Sequence, residues 1–221
     1  MSGRRHLDVD LDELLRSLSG PQAPAEDETT ARILDAASEL FLQYGIRRCT
    51  VDDIAQRSGL GRTTIYRRFD GRSQIVTAVL ARECRRFLTS IMFATVHLET
   101  IEDMVVEGFL TGLGSPERAT LSALARSEPE LLRLLTVESE PLIAVATGVL
   151  VDAFGPLGRP ADRRRVEVVA EALVRLALSF VLERRSTIPL HDRQRARADL
   201  HALLDPLLEP LGELREPRGH A

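Results

Sequence analysis

Apolar residues recur at helical spacing along almost the whole chain, and no segment alternates with the two-residue period of a strand. Ile33, Leu34, Ala37, Leu40, Phe41 and Tyr44 share one face of a predicted helix that starts near Thr29. Thr50 then offers a hydroxyl to the orphan amides of a new helix. Asp52 and Asp53 suit its positive end, and Val51, Ile54 and Ala55 line one side. The pattern breaks at Ser58, Gly59 and Leu60, where Gly59 can supply the left-handed backbone of a tight turn. In the next predicted helix Leu60, Ile65 and Phe69 point inward, which leaves Gly61, Arg62, Thr63, Thr64, Tyr66, Arg67 and Arg68 outward.

A longer pattern begins near Ser73, with Ile75, Val76, Val79, Leu80, Phe87, Leu88, Ile91 and Met92 in helical register. No Gly or Pro interrupts it between Gly71 and Gly108, so it predicts a helix that links the first domain mechanically to the rest. Breaks at Gly112 to Pro116, Pro129, Pro141, Gly155 to Pro160 and Pro189 divide the remainder into further helices. The chain reads as all-α: an N-terminal extension over residues 1–28, a small three-helix domain over 29–75, and a larger C-terminal helical domain over 76–215.

Two late helices stand out. Val166 to Leu182 contains LVRLALSFVL, apolar nearly all round except at Arg175 and Ser179, as expected of a helix buried on several sides. In the last helix Leu200, Leu203, Leu204, Leu207, Leu208 and Leu211 follow strict i, i+3, i+4 spacing, and Pro206 is predicted to kink or shorten it. Such a pair can meet its own copy in a four-helix dimer interface; the other reading is that both seal a monomer core.

Charge sharpens the picture at one place. The chain has a net charge of -4, yet between Arg57 and Arg72 there are five arginines and a single acid, Asp70. A capped helix, a Gly turn and a second helix crowded with donors around one aromatic form the grammar of a helix-turn-helix DNA reader rather than of a merely solvated face. Arg62, Thr63 and Thr64 fall at the start of the second helix, the part that reaches base edges, where Arg suits guanine and Thr can meet a thymine methyl. Tyr66, Arg67, Arg68 and Arg72, with the amide end of the helix at Thr50, suit phosphate, which positions the domain and makes binding salt-dependent; Arg68 serves either role.

Residues Thr29 to about Arg82 resemble the DNA-binding domain of the tetracycline-repressor (TetR) family. The resemblance rests on the helix TTARILDAASELFLQYG, on the Tyr-x-x-Phe of Tyr66 to Phe69, and on the basic residue three positions later. Family members usually carry Lys at the place of Arg72 and often His at that of Arg68. All 29 basic residues of this chain are Arg, which accounts for the first difference. The resemblance implies a dimeric transcriptional repressor that grips a palindromic operator and is released when a small molecule occupies its C-terminal domain. An activator or dual regulator, and a protein-interaction module that has lost DNA recognition, are the alternatives.

Residues 1–28 hold seven acids and three arginines, the opposite sign to the basic extensions of many relatives. Leu7, Leu11, Leu14, Leu15 and Leu18 share one helical face, and the segment ends in a linker-like GPQAPAEDE. It reads either as a disordered arm or as an acidic helix that docks on the protein and weakens DNA binding.

Other chemistry is thin. Met92, Phe93, Met104, Phe109, Leu135 and Phe180 are apolar, flexible or aromatic and read either as ordinary core or as the lining for a hydrophobic effector, with Arg175 and Ser179 available to a carboxylate or carbonyl; Arg175 can instead pair with Glu171. Glu138, Glu140, His191 and Asp192 form no recognisable catalytic set, the five histidines show no ligand spacing, and no cofactor motif is present, so neither an enzyme nor a metal site is expected. Cys49 reads as a packed or idle cysteine, the other reading being that Arg47 and Arg48 before it lower its thiol pKa and make it oxidisable. The longest uncharged run, Phe87 to Leu98, has twelve residues, short of the roughly 20 of a membrane span. With no visible signal peptide, a cytoplasmic protein is expected.

Overall fold

The computed structural model describes residue 14 and residues 26–155, 163–183 and 186–212, and every regular element among them is helical. In chain order these are α1 (Glu28–Tyr44), a 3-10 turn (Ile46–Arg48), α2 (Val51–Ser58), α3 (Arg62–Arg68), α4 (Arg72–Thr95) and α5 (Ile101–Gly114). They are followed by α6 (Pro116–Ser127), α7 (Pro129–Thr136), α8 (Glu140–Phe154), α9 (Arg163–Leu182) and α10 (Arg193–Gly212). Contacts gather them into two compact units. One holds the described residues as far as Arg86 together with Ala119–Ser139; the other holds Phe87–Arg118 and the described residues from Glu140 onward.

In the first unit α1 starts where Asp27 accepts the Thr30 amide at 3.0 Å, and it buries Ile33, Leu34, Ala36, Ala37, Leu40 and Phe41. Tyr44, expected on that face, is exposed at the helix's last position. Ile54, Ile65, Ile75, Val76 and Val79 complete the core, joined from far along the chain by Leu124 and Leu131. Leu14 also packs against this core, whereas the rest of the acidic helix expected over Leu7 to Leu18 lies outside the described residues.

The second unit shows how a helix break can be written without Gly or Pro. The pattern that runs unbroken to Gly108 is in fact two helices, because α4 ends at Thr95 and the Thr100 hydroxyl accepts the Asp103 amide at 3.0 Å to start α5. Gly108 and Gly112 let α5 lie close to α4: a Cβ on Gly112 would stand 3.3 Å from both Phe87 and Ile91. Arg118 is buried and ties the end of α5 to the end of α9. Its Nε donates to the Phe180 carbonyl at 3.0 Å, Nη1 to that of Leu113 at 3.2 Å and Nη2 to that of Glu183 at 3.0 Å.

On α10, Ala196, Leu200, Leu204, Leu208 and Leu211 are buried, while Leu203 and Leu207 are exposed. The helix is not shortened at Pro206 but continues to Gly212; the anchored Leu208 and Leu211 hold the turns beyond the missing amide donor in place. Among the described residues no single helix is long and apolar enough to cross a membrane.

Candidate nucleic-acid interface

Between Thr50 and Arg72 the local chemistry builds a rigid two-helix unit. Thr50 and Asp53 form a reciprocal capping box: the Asp53 amide donates to Thr50 Oγ1 at 3.2 Å and the Thr50 amide to Asp53 Oδ2 at 2.8 Å. The Thr50 hydroxyl donates to the same carboxylate oxygen at 2.7 Å, and these Thr50 bonds hold the Asp53 carboxyl below its usual pKa. At this end of α2, expected to meet phosphate, the Thr50 and Asp53 amides are thus engaged within the capping box. α2 ends at Gly59, whose φ of 67° and ψ of 24° are left-handed, as the turn requires.

α3 has seven residues, too few to persist alone. It is held by Ile65, fully buried, and by Phe69 just beyond its end; each such side chain contributes about 1.5–3 kcal/mol through its burial. With that side fixed, Arg62, Thr63, Tyr66, Arg67 and Arg68 are exposed and Thr64 is half-buried. The outward set expected from the spacing is thus presented together on one short helix.

Electrostatics divides that set. Arg62 pairs with Asp52 of α2, Arg68 with Asp27 ahead of α1, and Arg57 Nε with Glu39 of α1 at 2.8 Å. The Asp27 carboxyl is held below its usual pKa chiefly by the Thr30 amide and further by Arg68, with burial opposing. Such surface pairs are worth at most about 1 kcal/mol each, so phosphate or a base edge can displace them. Among the described residues Arg67 pairs with no carboxylate, and neither does Arg48, an exposed cation beside the Thr50 cap that the spacing argument passed over. The Arg-Arg doublet at 47–48 was its only signal. Arg72 turns inward instead: Nε donates to the Cys49 carbonyl at 2.8 Å and Nη2 to that of Ile46, so its guanidinium braces the 3-10 turn.

Cys49 is buried, with Sγ 3.3 Å from the carbonyls of Leu40 and Gly45. Burial raises its pKa and Asp53 adds to the rise, against a smaller opposing effect of Arg72; neither Arg47 nor Arg48 contributes the expected depression.

The effector candidates are not brought together. Phe109 and Phe180 meet edge-to-face with ring centres 6.2 Å apart, and Met104 is half-buried beside the same core. Met92 and Phe93 are instead exposed, at 51% and 68%, because they fall on the outer side of α4. Leu135 belongs to the other compact unit. Arg175 and Ser179 lie on an exposed stripe of α9 with Val168 and Ala172, and Arg175 Nε is bound to Glu171 at 2.8 Å. α9 is thus buried on one side through Val166, Ala170, Leu173 and Val174, not all round.

Comparison with known proteins places this architecture. The family model described as bacterial regulatory proteins, tetR family, matches residues 33–79, and that described as bacterial tetracyclin repressor, C-terminal domain, matches residues 102–206. The HTH-type transcriptional regulator AlkX of Mycobacterium tuberculosis is 28% identical over 84% of this chain and 87% of its own. Rv1255c, an HTH-type transcriptional regulator of the same species, is 30% identical over 86% and 90%. The crystal structure of the TetR family repressor AlkX from Dietzia sp., implicated in biodegradation of n-alkanes, superposes with a TM-score of 0.58 at 26% identity, covering 81% of this chain and 97% of that one. NalD, the secondary repressor of the MexAB-OprM multidrug efflux pump in Pseudomonas aeruginosa, shares the fold at 20% identity, with a TM-score of 0.55 over 86% and 99% of the two chains. With two family models in tandem, and relatives that match along most of their length, the chain belongs to the TetR family of helix-turn-helix transcriptional regulators, which are not enzymes.

Proposed function

We propose that the protein is a homodimeric repressor that acts in the cytoplasm, binds a palindromic operator through Thr50 to Arg72, and is released by a hydrophobic small molecule. The observation that carries the DNA-reading assignment is α3 itself, a helix anchored by Ile65 and Phe69 with Arg62, Thr63, Tyr66, Arg67 and Arg68 all outward. Arg62, Thr63 and Thr64 read base edges, while Tyr66, Arg67, Arg68 and Arg48 hold phosphate. Arg72 acts through the turn it braces. One such helix spans few base pairs, and a two-fold dimer doubles them on half-sites about 34 Å apart or a multiple of that.

The dimer reading is supported by the outer faces of α9 and α10, where Val168, Leu203 and Leu207 remain exposed although the opposite sides of both helices are buried. A hydrophobic effector is supported by Phe109, which meets Phe180 edge-to-face and packs with Met104 against one buried core, and by similarity to the Dietzia AlkX, which is implicated in n-alkane biodegradation. Release requires that the ligand prefer a state with wrongly spaced recognition helices. Each tenfold loosening costs about 1.4 kcal/mol of that preference, so useful induction needs two to three times as much.

The test is selection of genomic DNA fragments by the purified protein, repeated with Tyr66→Ala and Arg62→Ala. A shared palindromic motif lost with either substitution supports the assignment. Fragments without a motif, or a motif indifferent to both changes, would overturn it.

A further inference from the structure

Glu128 lies in the part of the sequence matched by the C-terminal family model, yet its side chain works in the DNA-reading unit. Its carboxylate is almost fully enclosed, with 1% of the side chain exposed, at the junction of α6 and α7. Oε1 accepts the backbone amide of Arg47 at 2.9 Å and Oε2 accepts Arg47 Nε at 2.8 Å. Glu130 accepts from Nη2, and the two carboxylates, Glu130 more than Glu128, raise the Arg47 pKa. Leu124 and Leu131, on either side of Glu128, are buried in the same core as Ile54 and Ile65.

The partner of this clamp is the turn Ile46–Arg48, which Arg72 holds by its carbonyls from α4 and which leads directly into the Thr50 cap of α2. An enclosed carboxylate is costly to desolvate, and an apolar residue would fill the same space without that cost. What Glu128 adds is a directional hold on one backbone amide and one guanidinium.

We propose, on the reading that this unit binds DNA, that Glu128 is a positioning residue for operator recognition. It fixes the turn that sets the N-terminus of α2, and it makes the segment Ala119–Ser139 respond when DNA binds. By linkage, whatever displaces that segment weakens DNA binding by the same factor.

The experiment uses the full chain and a DNA fragment that it selects, with Glu128→Gln, Arg47→Met and the double variant. Removing a negative charge would by electrostatics alone tighten DNA binding. A positioning role predicts the opposite, about tenfold weaker binding for Glu128→Gln. Arg47→Met, at a partly exposed site, gives a similar loss with an unchanged salt slope, whereas a lost phosphate contact would lower the slope by about one. The double variant is no worse than either single one. Operator DNA slows amide hydrogen exchange across 119–139 in the parent protein and not in the variants. Tighter or unchanged binding by folded Glu128→Gln, or exchange in 119–139 indifferent to DNA in the parent, overturns the proposal. If Glu128→Gln does not fold, Arg47→Met decides by affinity, slope and exchange. A parent chain that selects no DNA overturns the repressor reading and this inference together; selection of DNA without the coupling overturns this inference alone.

Discussion

Replacing Gly59 by alanine tests whether the turn between α2 and α3 is set by backbone conformation. At φ 67° and ψ 24° an L-residue with a Cβ is strained by about 1–2 kcal/mol. The new methyl would also stand 3.3 Å from Arg32 Nη2, and that nitrogen is already committed, donating to the Ser58 carbonyl at 2.7 Å. Moving the guanidinium away endangers a bond with a charged donor, worth roughly 1.5–3 kcal/mol, of which a shift of a few tenths of an ångström forfeits only part. The sum for Gly59→Ala is a loss of about 2–3 kcal/mol, read from the urea midpoint at unchanged m-value.

Two further variants separate the causes. Gly59→Asn keeps the crowding but tolerates the left-handed region, so it should cost less than Ala. Placing Gly59→Ala in an Arg32→Met background removes the contact and leaves only the backbone part. Operator affinity should fall together with stability, because the strain is relieved only by reorienting α3. A Gly59→Ala protein within about 0.5 kcal/mol of the parent, or an Asn variant as costly as Ala, would refute the reasoning.

Asp27→Asn keeps an N-cap for α1 but releases Arg68, so DNA binding should tighten a few-fold in a fluorescence anisotropy titration at low salt; weaker binding would show that the ion pair orders Arg68 rather than occupying it. Arg118→Met leaves the carbonyls of Phe180, Leu113 and Glu183 without their donor, at about 3 kcal/mol, and should lower the melting temperature by roughly 6–12 °C; a shift under 2 °C contradicts it. Burial raises the pKa of both thiols, Cys84 up to about 12, so the folded protein should react slowly with iodoacetamide at pH 8 while the unfolded chain reacts at once. The same shifts make stability fall as pH rises above about 9, where unfolded thiols ionise and folded ones do not, and Cys84→Ala should flatten that decline in alkaline urea titrations.

What the sequence made legible was whatever is encoded within a few residues. The Thr50 cap, the Gly59 turn and the alternation of Ile65 and Phe69 with outward arginines are local, and each stands where its spacing placed it. The break after Thr95 was equally local but written as a Thr-x-x-Asp cap rather than as Gly or Pro, so a search for breakers overlooked it. Pairings between distant segments were invisible. Asp27 with Arg68, Arg72 with the carbonyls of the 3-10 turn, and Glu128 with Arg47 join residues 41, 23 to 26 and 81 positions apart, and no periodicity records them.

These distant pairings change what the basic stretch means. Counted along the chain, Arg57 to Arg72 is a strongly positive run; in the folded unit Arg57, Arg62 and Arg68 each face a carboxylate from a neighbouring helix or its cap, and Arg72 is spent on carbonyls. With Arg57, Arg62 and Arg68 paired, this surface attracts nonspecific DNA less than the basic run alone would, since that binding rises with each phosphate an unpaired cation neutralises. At a matching site the weak surface pairs can be exchanged for base and phosphate contacts in correct geometry. If binding at a matching site exchanges these pairs and nonspecific contact does not, the acids around α3 raise the ratio of specific to nonspecific binding rather than the binding itself.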